Sequence, residues 1–436
     1  MNLASRKAIV ILSVVAICTR SAVADDWPQW GGPQRDLAWR ETGIVDALPA
    51  VDPATGFLSR MWTVPIGAGY AGPAVADGRV FVTDRVPDEN IERVLSCDAE
   101  TGQELWKREY EARYTISYPL GPRATPTVDG DRVYTLGAVG HLLCLSAATG
   151  DVIWQKHLPT DFGTELPVWG MAGAPLVEDD QLIVLAGGQP GALVVSLDKR
   201  TGAERWRALE DKQTGYCAPV IVNIAGKRQL IVWHPTAVSA LDPKTGRVLW
   251  EAPFDVQAGM TIATPRSIGN RLFVTGFYSG PLMIDLGAAG VSPNVLWRTK
   301  PGNTEVKNDS LHAVMCTPIL ADRFVYGVGS YGDLRCLAAD SGQVVWETRD
   351  ATGEGRWWNA FLVPHRDRVV ICNEQGEIIF AKLDPAGYHE LSRAMLIKPT
   401  QPIQRRMTVW SHPAFAMRSV FARNDGELIR VNLAAP

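Results

Sequence analysis

The segment "ALDPKTGRVLW", residues 240–250, decides how the rest of the chain is read. It holds the end of an apolar strand, an aspartate, a Thr-Gly turn and a second strand that reaches tryptophan four positions after the glycine. The phrase returns as "SCDAETGQELW" ending at Trp106, "CLSAATGDVIW" at Trp154, "SLDKRTGAERW" at Trp206 and "CLAADSGQVVW" at Trp346. A stretched form, "DLGAAGVSPNVLW", ends at Trp297, and "KLDPAGYHEL" keeps the turn but places Leu391 at the tryptophan position. From Trp106 to Leu391 the successive spacings are 48, 52, 44, 47, 49 and 45 residues. A period of about 40–50 residues is that of a propeller blade.

The physics of one unit explains why it recurs. Glycine accepts the positive φ that a tight turn between two strands requires. The following strand carries a large aromatic ring, and a lone sheet has nothing to bury it against. Stacking sheets around a ring supplies the missing surface. Trp62, Trp106, Trp154, Trp206, Trp250, Trp297 and Trp346 are therefore expected to dock structurally against the neighbouring unit.

Upstream of each phrase lies a second hairpin, as in "PTVDGDRVYTLG" and "PAVADGRVFVTD", where Asp-Gly marks the turn. Each unit thus has four strands, A to D. Strand A opens on a proline at Pro73, Pro126, Pro175, Pro219, Pro265, Pro318 and Pro413, with Phe361 in the remaining unit. Proline suits the start of an edge strand, and the innermost strand of a blade is such an edge. The chain stops at "LIRVNLAAP", a strand C with no strand D, while "DPATGFLSRMW" near the start supplies a strand D alone. The expected fold is all-β: an eight-bladed β-propeller of four-stranded antiparallel blades, closed by the N- and C-terminal strands. It is expected to span residues 58–436, with residues 25–57 an extension packed on it.

The composition agrees with a turn-rich globular chain: 40 Gly, 29 Pro and 15 Trp in 436 residues, with a formal net charge of −4. No basic cluster marks a nucleic-acid groove. Residues 1–24 are expected to be a signal peptide: Arg6 and Lys7, a ten-residue apolar stretch from Ala8 to Ile17, then "AVA" before Asp25. Ile17 is bulky where a lipoprotein signal has a small residue, so Cys18 is not expected to carry a lipid. No later segment is long and apolar enough to span a membrane as a helix. Cys97, Cys144, Cys217, Cys316, Cys336 and Cys372 follow no metal or haem spacing. Each lies in an apolar run and is expected to be a small buried residue.

These phrases resemble the PQQ-type β-propeller repeat family, whose blades carry an A-x-D-x-x-T-G-x-x-x-W phrase; the likeness covers roughly Leu58 to Pro436. "DWPQWGGPQRD", residues 26–36, is also similar to the opening of exported members. Its Trp27, Trp30 and Arg35 are expected to pack against the propeller. The resemblance implies two functional directions. Quinoprotein alcohol dehydrogenases hold pyrroloquinoline quinone and calcium on the propeller axis, the quinone against a disulfide of adjacent cysteines. This chain has no adjacent cysteines and no dense carboxylate-amide set. BamB-like propellers are scaffolds that need no cofactor. The resemblance therefore implies an exported, non-catalytic protein-interaction scaffold, periplasmic or secreted, with protein partners in the cell envelope and no cofactor. A PQQ- and calcium-dependent oxidoreductase is the alternative, and so is small-ligand or glycan binding in the axial funnel.

A ligand site would sit where the D-to-A loops converge. Three residues before each strand-A proline, or Phe361, stand Tyr70, Arg123, Ala172, Tyr216, Ile262, Met315, Trp358 and Trp410. Four are aromatic, and Arg123 adds a donor. Neighbouring loops add Trp169, His312, Asn359 and His412, together with Trp357 and the "KND" run Lys307–Asp309. Aromatic walls with a few polar groups are the usual lining of a ligand pocket. The competing expectation is that the rings only plug the channel. No catalytic residue and no metal ligand is singled out.

Overall fold

The computed structural model describes residues 25–299 and 309–436. The expected signal peptide and the loop residues Lys307 and Asn308 lie outside the described residues. Eight four-stranded antiparallel sheets form the ring, and among the described residues one five-residue α-helix, Leu158–Phe162, lies between the second and third blades. The fourth blade is typical: Val220–Ile224, Lys227–His234, Ala237–Leu241 and Val248–Pro253, paired in that order. Seven blades run in sequence from Ala74 to Met395. The eighth is shared. Its inner strands are Ala414–Ala416, Ser419–Arg423 and Glu427–Asn432, and its outer strand is Trp62–Pro65 from the other end of the chain. Trp62 pairs with Arg430 and Pro65 with Glu427, which removes an open sheet edge.

The recurrent phrase has a physical anatomy. In "DAETG" the Asp98 carboxylate accepts hydrogen bonds from the Thr101 N–H at 2.7 Å and its hydroxyl at 2.8 Å, folding the turn on itself. Gly102 follows at φ +77°, and a Cβ there would lie 2.9 Å from the Trp62 ring. The glycine is thus needed twice, for its backbone angle and for the ring lying on it. Trp106 rests likewise on Gly150, Trp154 on Gly202, Trp206 on Gly246 and Trp297 on Gly342.

Each indole N–H is also bound. Trp62, Trp106, Trp154 and Trp297 donate to the carbonyls of Ala99, Ala147, Lys199 and Ala339 in the next blade's turn, at 2.8–3.1 Å. Trp346 donates to the carbonyl of Asp384 at 2.7 Å. Two blades differ. Trp206 donates to Gln181, whose amide reaches the Pro243 carbonyl, and Trp250 donates to Gln229, whose amide reaches Gly290. A glutamine relays the contact in both. All six cysteines described are free and buried.

Residues 26–46 form a strap through the ring. Trp27 pairs with Val75 of the first blade's inner strand, and Pro28 accepts from the Val128 N–H of the second. Arg35 donates to the carbonyls of Ala174 and Pro175 in the third. The Trp39 N–H bonds to Pro364 of the seventh blade, and Glu41 accepts from the Arg418 N–H of the eighth.

Candidate functional site

Strand A of each blade runs from the D-to-A loop inward along the axis, so residues just before it face the channel. They form two tiers. The upper one, three residues before each proline, contributes Tyr70, Arg123, Ala172, Tyr216, Ile262, Met315 and Trp410. The lower one, directly before the proline, contributes Thr125, Ala174, Ala218, Thr264 and His412. Together they enclose a cavity of about 210 Å³. Its inner end is closed by the strap, where the Trp30 indole donates to the Thr264 hydroxyl at 3.0 Å and stands edge-on to His412, 4.6 Å between centroids. The strap therefore covers the end of the cavity away from the D-to-A loops.

Ten of the residues expected at the funnel meet here: Tyr70, Arg123, Trp169, Ala172, Tyr216, Ile262, Met315, Trp357, Trp410 and His412. Asp309, Trp358, Asn359 and His312 do not line the cavity. Trp358 is 2% exposed, with its ring against Gly332 and Gly353 in the core shared by two blades. Its neighbour Trp357 takes the place instead, because the backbone turns through φ +61° there and advances the pattern by one residue. Asn359 is fully buried, its N–H donating to Glu374. His312 is buried, with Nδ1 2.8 Å from the Phe277 carbonyl. Trp30, Tyr118, Met260 and Val314 line the cavity without having been singled out from the axial spacing.

The walls are mostly rings held by polar contacts behind them. The Trp410 indole donates to Glu374 at 2.9 Å, and Arg406 forms an ion pair with the same carboxylate. Trp169 lies 5.4 Å from Tyr216, and Tyr118 bridges Trp357 and Trp410 at 6.3 and 6.1 Å. Burial pushes the Tyr216 hydroxyl up to about 12, so it stays protonated at neutral pH. His412 Nε2 lies 2.6 Å from the Thr125 hydroxyl, and full burial pulls its pKa down to about 4, so the ring is neutral at pH 7. Gly72 makes room for that ring: a Cβ there would come within 2.5 Å of it.

The one cation among the lining residues is Arg123. Its guanidinium is held by the carbonyls of Gly121, Ser117 and Tyr118 and lies 5.1 Å from the centroid of the Tyr70 ring. Burial lowers its pKa. No lining residue is a carboxylate.

The model of the family described as "Outer membrane protein assembly factor BamB" matches residues 90–348. A protein of that name from Moranella endobia is 22% identical over 77% of this chain and 74% of its own length. A 1-butanol dehydrogenase (quinone) from Thauera butanivorans is 27% identical over 54% of this chain and 36% of its own length. Among solved structures, BamB from Moraxella catarrhalis superposes with a TM-score of 0.58 at 15% identity, over 86% of this chain and 97% of that one.

The dehydrogenase likeness raises the question of a quinone with calcium. The donor set does not fit that pair. No carboxylate lines the cavity, no three His, Cys, Asp or Glu side chains among the described residues group around one point, and no two cysteines are adjacent.

Proposed function

The chain belongs to the family described as outer membrane protein assembly factor BamB, and from that premise we propose that it is a non-catalytic scaffold that binds protein partners in the cell envelope. The observation that carries this reading is the face onto which the cavity opens. Its rim exposes two large apolar side chains, Val168 at 61% and Met407 at 51%, beside a recess walled by aromatic rings. An apolar anchor entering a recess with a polar surround is how hot spots in protein interfaces are built. The export segment expected at residues 1–24 agrees with an envelope location.

The test is site-specific photocrosslinking in the source cells. A crosslinking residue at position 168 or 407 should yield one discrete heterologous adduct. The same residue at position 180, in the A-to-B turn on the opposite face, should yield none. Adducts from position 180 alone, or none from the rim, would overturn the placement. Dye-linked alcohol oxidation after loading with quinone and calcium would overturn the non-catalytic reading.

A further inference from the structure

We infer that the axial cavity is a binding site for a small organic acid: an apolar group of ring size carrying a single carboxylate, which Arg123 receives. The inference does not depend on the docking of a protein partner, because the cavity lies below the rim.

Size comes first. An apolar cavity of roughly 150 Å³ takes a benzene ring, so about 210 Å³ has room for a bicyclic group. Shape comes next. Trp30 closes the inner end, and Tyr70, Trp169, Tyr216, Trp357 and Trp410 surround the space. Flat side walls favour a flat or branched apolar body over a hydrated sugar, for which the site offers few hydrogen-bonding groups.

Charge decides the rest. Arg123 makes three bonds to carbonyl oxygens, against the five N–H donors of a guanidinium, which leaves two donors. It forms no ion pair with any described residue. The nearby buried carboxyl of Glu92 is occupied by the hydroxyls of Tyr110 and Tyr114 and the Ala138 N–H. Burial also raises the pKa of Glu92, which weakens it as a counter-charge. A cation held on neutral dipoles beside an apolar recess lacks an anion, and a carboxylate satisfies a guanidinium with charge-assisted hydrogen bonds. One uncompensated cation fits one carboxylate better than a polyanion.

The test is calorimetric titration of the full chain with 2-naphthoate and with 2-naphthamide, which share their ring system and differ in charge. The acid should bind at least tenfold more tightly. In Arg123→Gln that preference should vanish while the amide binds as before, and Trp410→Ala should weaken both. A free acid and the carboxyl end of a protein chain share this chemistry. A tetrapeptide ending in tryptophan, with a free or an amidated terminus, separates them: displacement of naphthoate by the free form alone assigns a chain end. Equal binding of acid and amide, or no binding of either, would overturn the inference. That comparison needs only the unaltered protein, so a poorly folding variant does not leave the matter open.

Discussion

Arg60 grips Glu427 with both terminal guanidinium nitrogens, at 2.7 and 3.1 Å, across 367 positions of sequence. The pair sits beside the backbone ladder that joins Trp62–Pro65 to the last strand. The ladder and the ion pair are not equal partners. A partly exposed ion pair contributes about 1 kcal/mol or less, so Arg60→Ala should shift the denaturation midpoint only slightly. Deleting residues 427–436 removes a whole strand and exposes the blade core, and the melting temperature should fall sharply. An unchanged melting temperature after the deletion would refute closure through this strand.

Trp106 is 9% exposed, lies on Gly150 and bonds to the Ala147 carbonyl. Trp106→Ala should cost on the order of 3–5 kcal/mol in chemical denaturation, the usual loss for a large buried aromatic. Trp106→Phe should recover part of that, since it restores ring area but not the hydrogen bond. A near-neutral alanine variant would show that the blades do not depend on this contact.

Gly246 tests the other half of the same joint. Its φ is +70°, and a Cβ would sit 2.5 Å from the Trp206 ring. Gly246→Ala should therefore destabilise by about 1–3 kcal/mol through backbone strain, with added cost from the displaced indole. Gly78 also has positive φ, at +71°, but nothing lies within 4 Å of its Cβ position. Gly78→Ala should cost less than Gly246→Ala by urea titration, and the reverse order would count against the ring contact.

His412 gives a signed pH dependence. Its pKa is about 4 in the folded protein and 6.5 as the ordinary value. Between those values the unfolded chain binds a proton that the folded chain refuses. The stability that depends on His412 is therefore fully present above pH 6.5 and declines as the pH falls toward 4. A tenfold difference in proton affinity is worth about 1.4 kcal/mol, so the loss is on the order of 3 kcal/mol. His412→Gln should flatten that decline relative to the unaltered chain in urea titrations at pH 7 and pH 4.5. Parallel declines would show that His412 does not set it.

The blade count and the closure of the ring could be read from the chain because both rest on a spacing that turn chemistry and strand length enforce. The proline positions carried further, since they marked which residues face the axis in seven of eight blades. The exception is the seventh blade, where Trp357 rather than Trp358 faces the axis. The pattern there slips by one residue through a left-handed backbone angle inside a loop, where no periodicity operates. Tyr118 escaped for a related reason: it also sits at positive φ, +54°, in the loop after the first blade. Trp30 reaches the cavity from outside the repeat altogether. Its depth depends on small side chains such as Ala174 and Ala218, contributed by blades far along the chain.

The strap has a consequence for how the protein is assembled. It precedes every blade in the chain, yet it bonds to the first, second, third, seventh and eighth blades. Its contacts are completed only when the last blade is in place. Contacts of such long range slow folding, because the chain loses its freedom before they form. In the finished ring the strap ties the first three blades to the last two. A chain lacking residues 25–46 would have to close around an empty axis and would lose Trp30, the inner wall of the cavity.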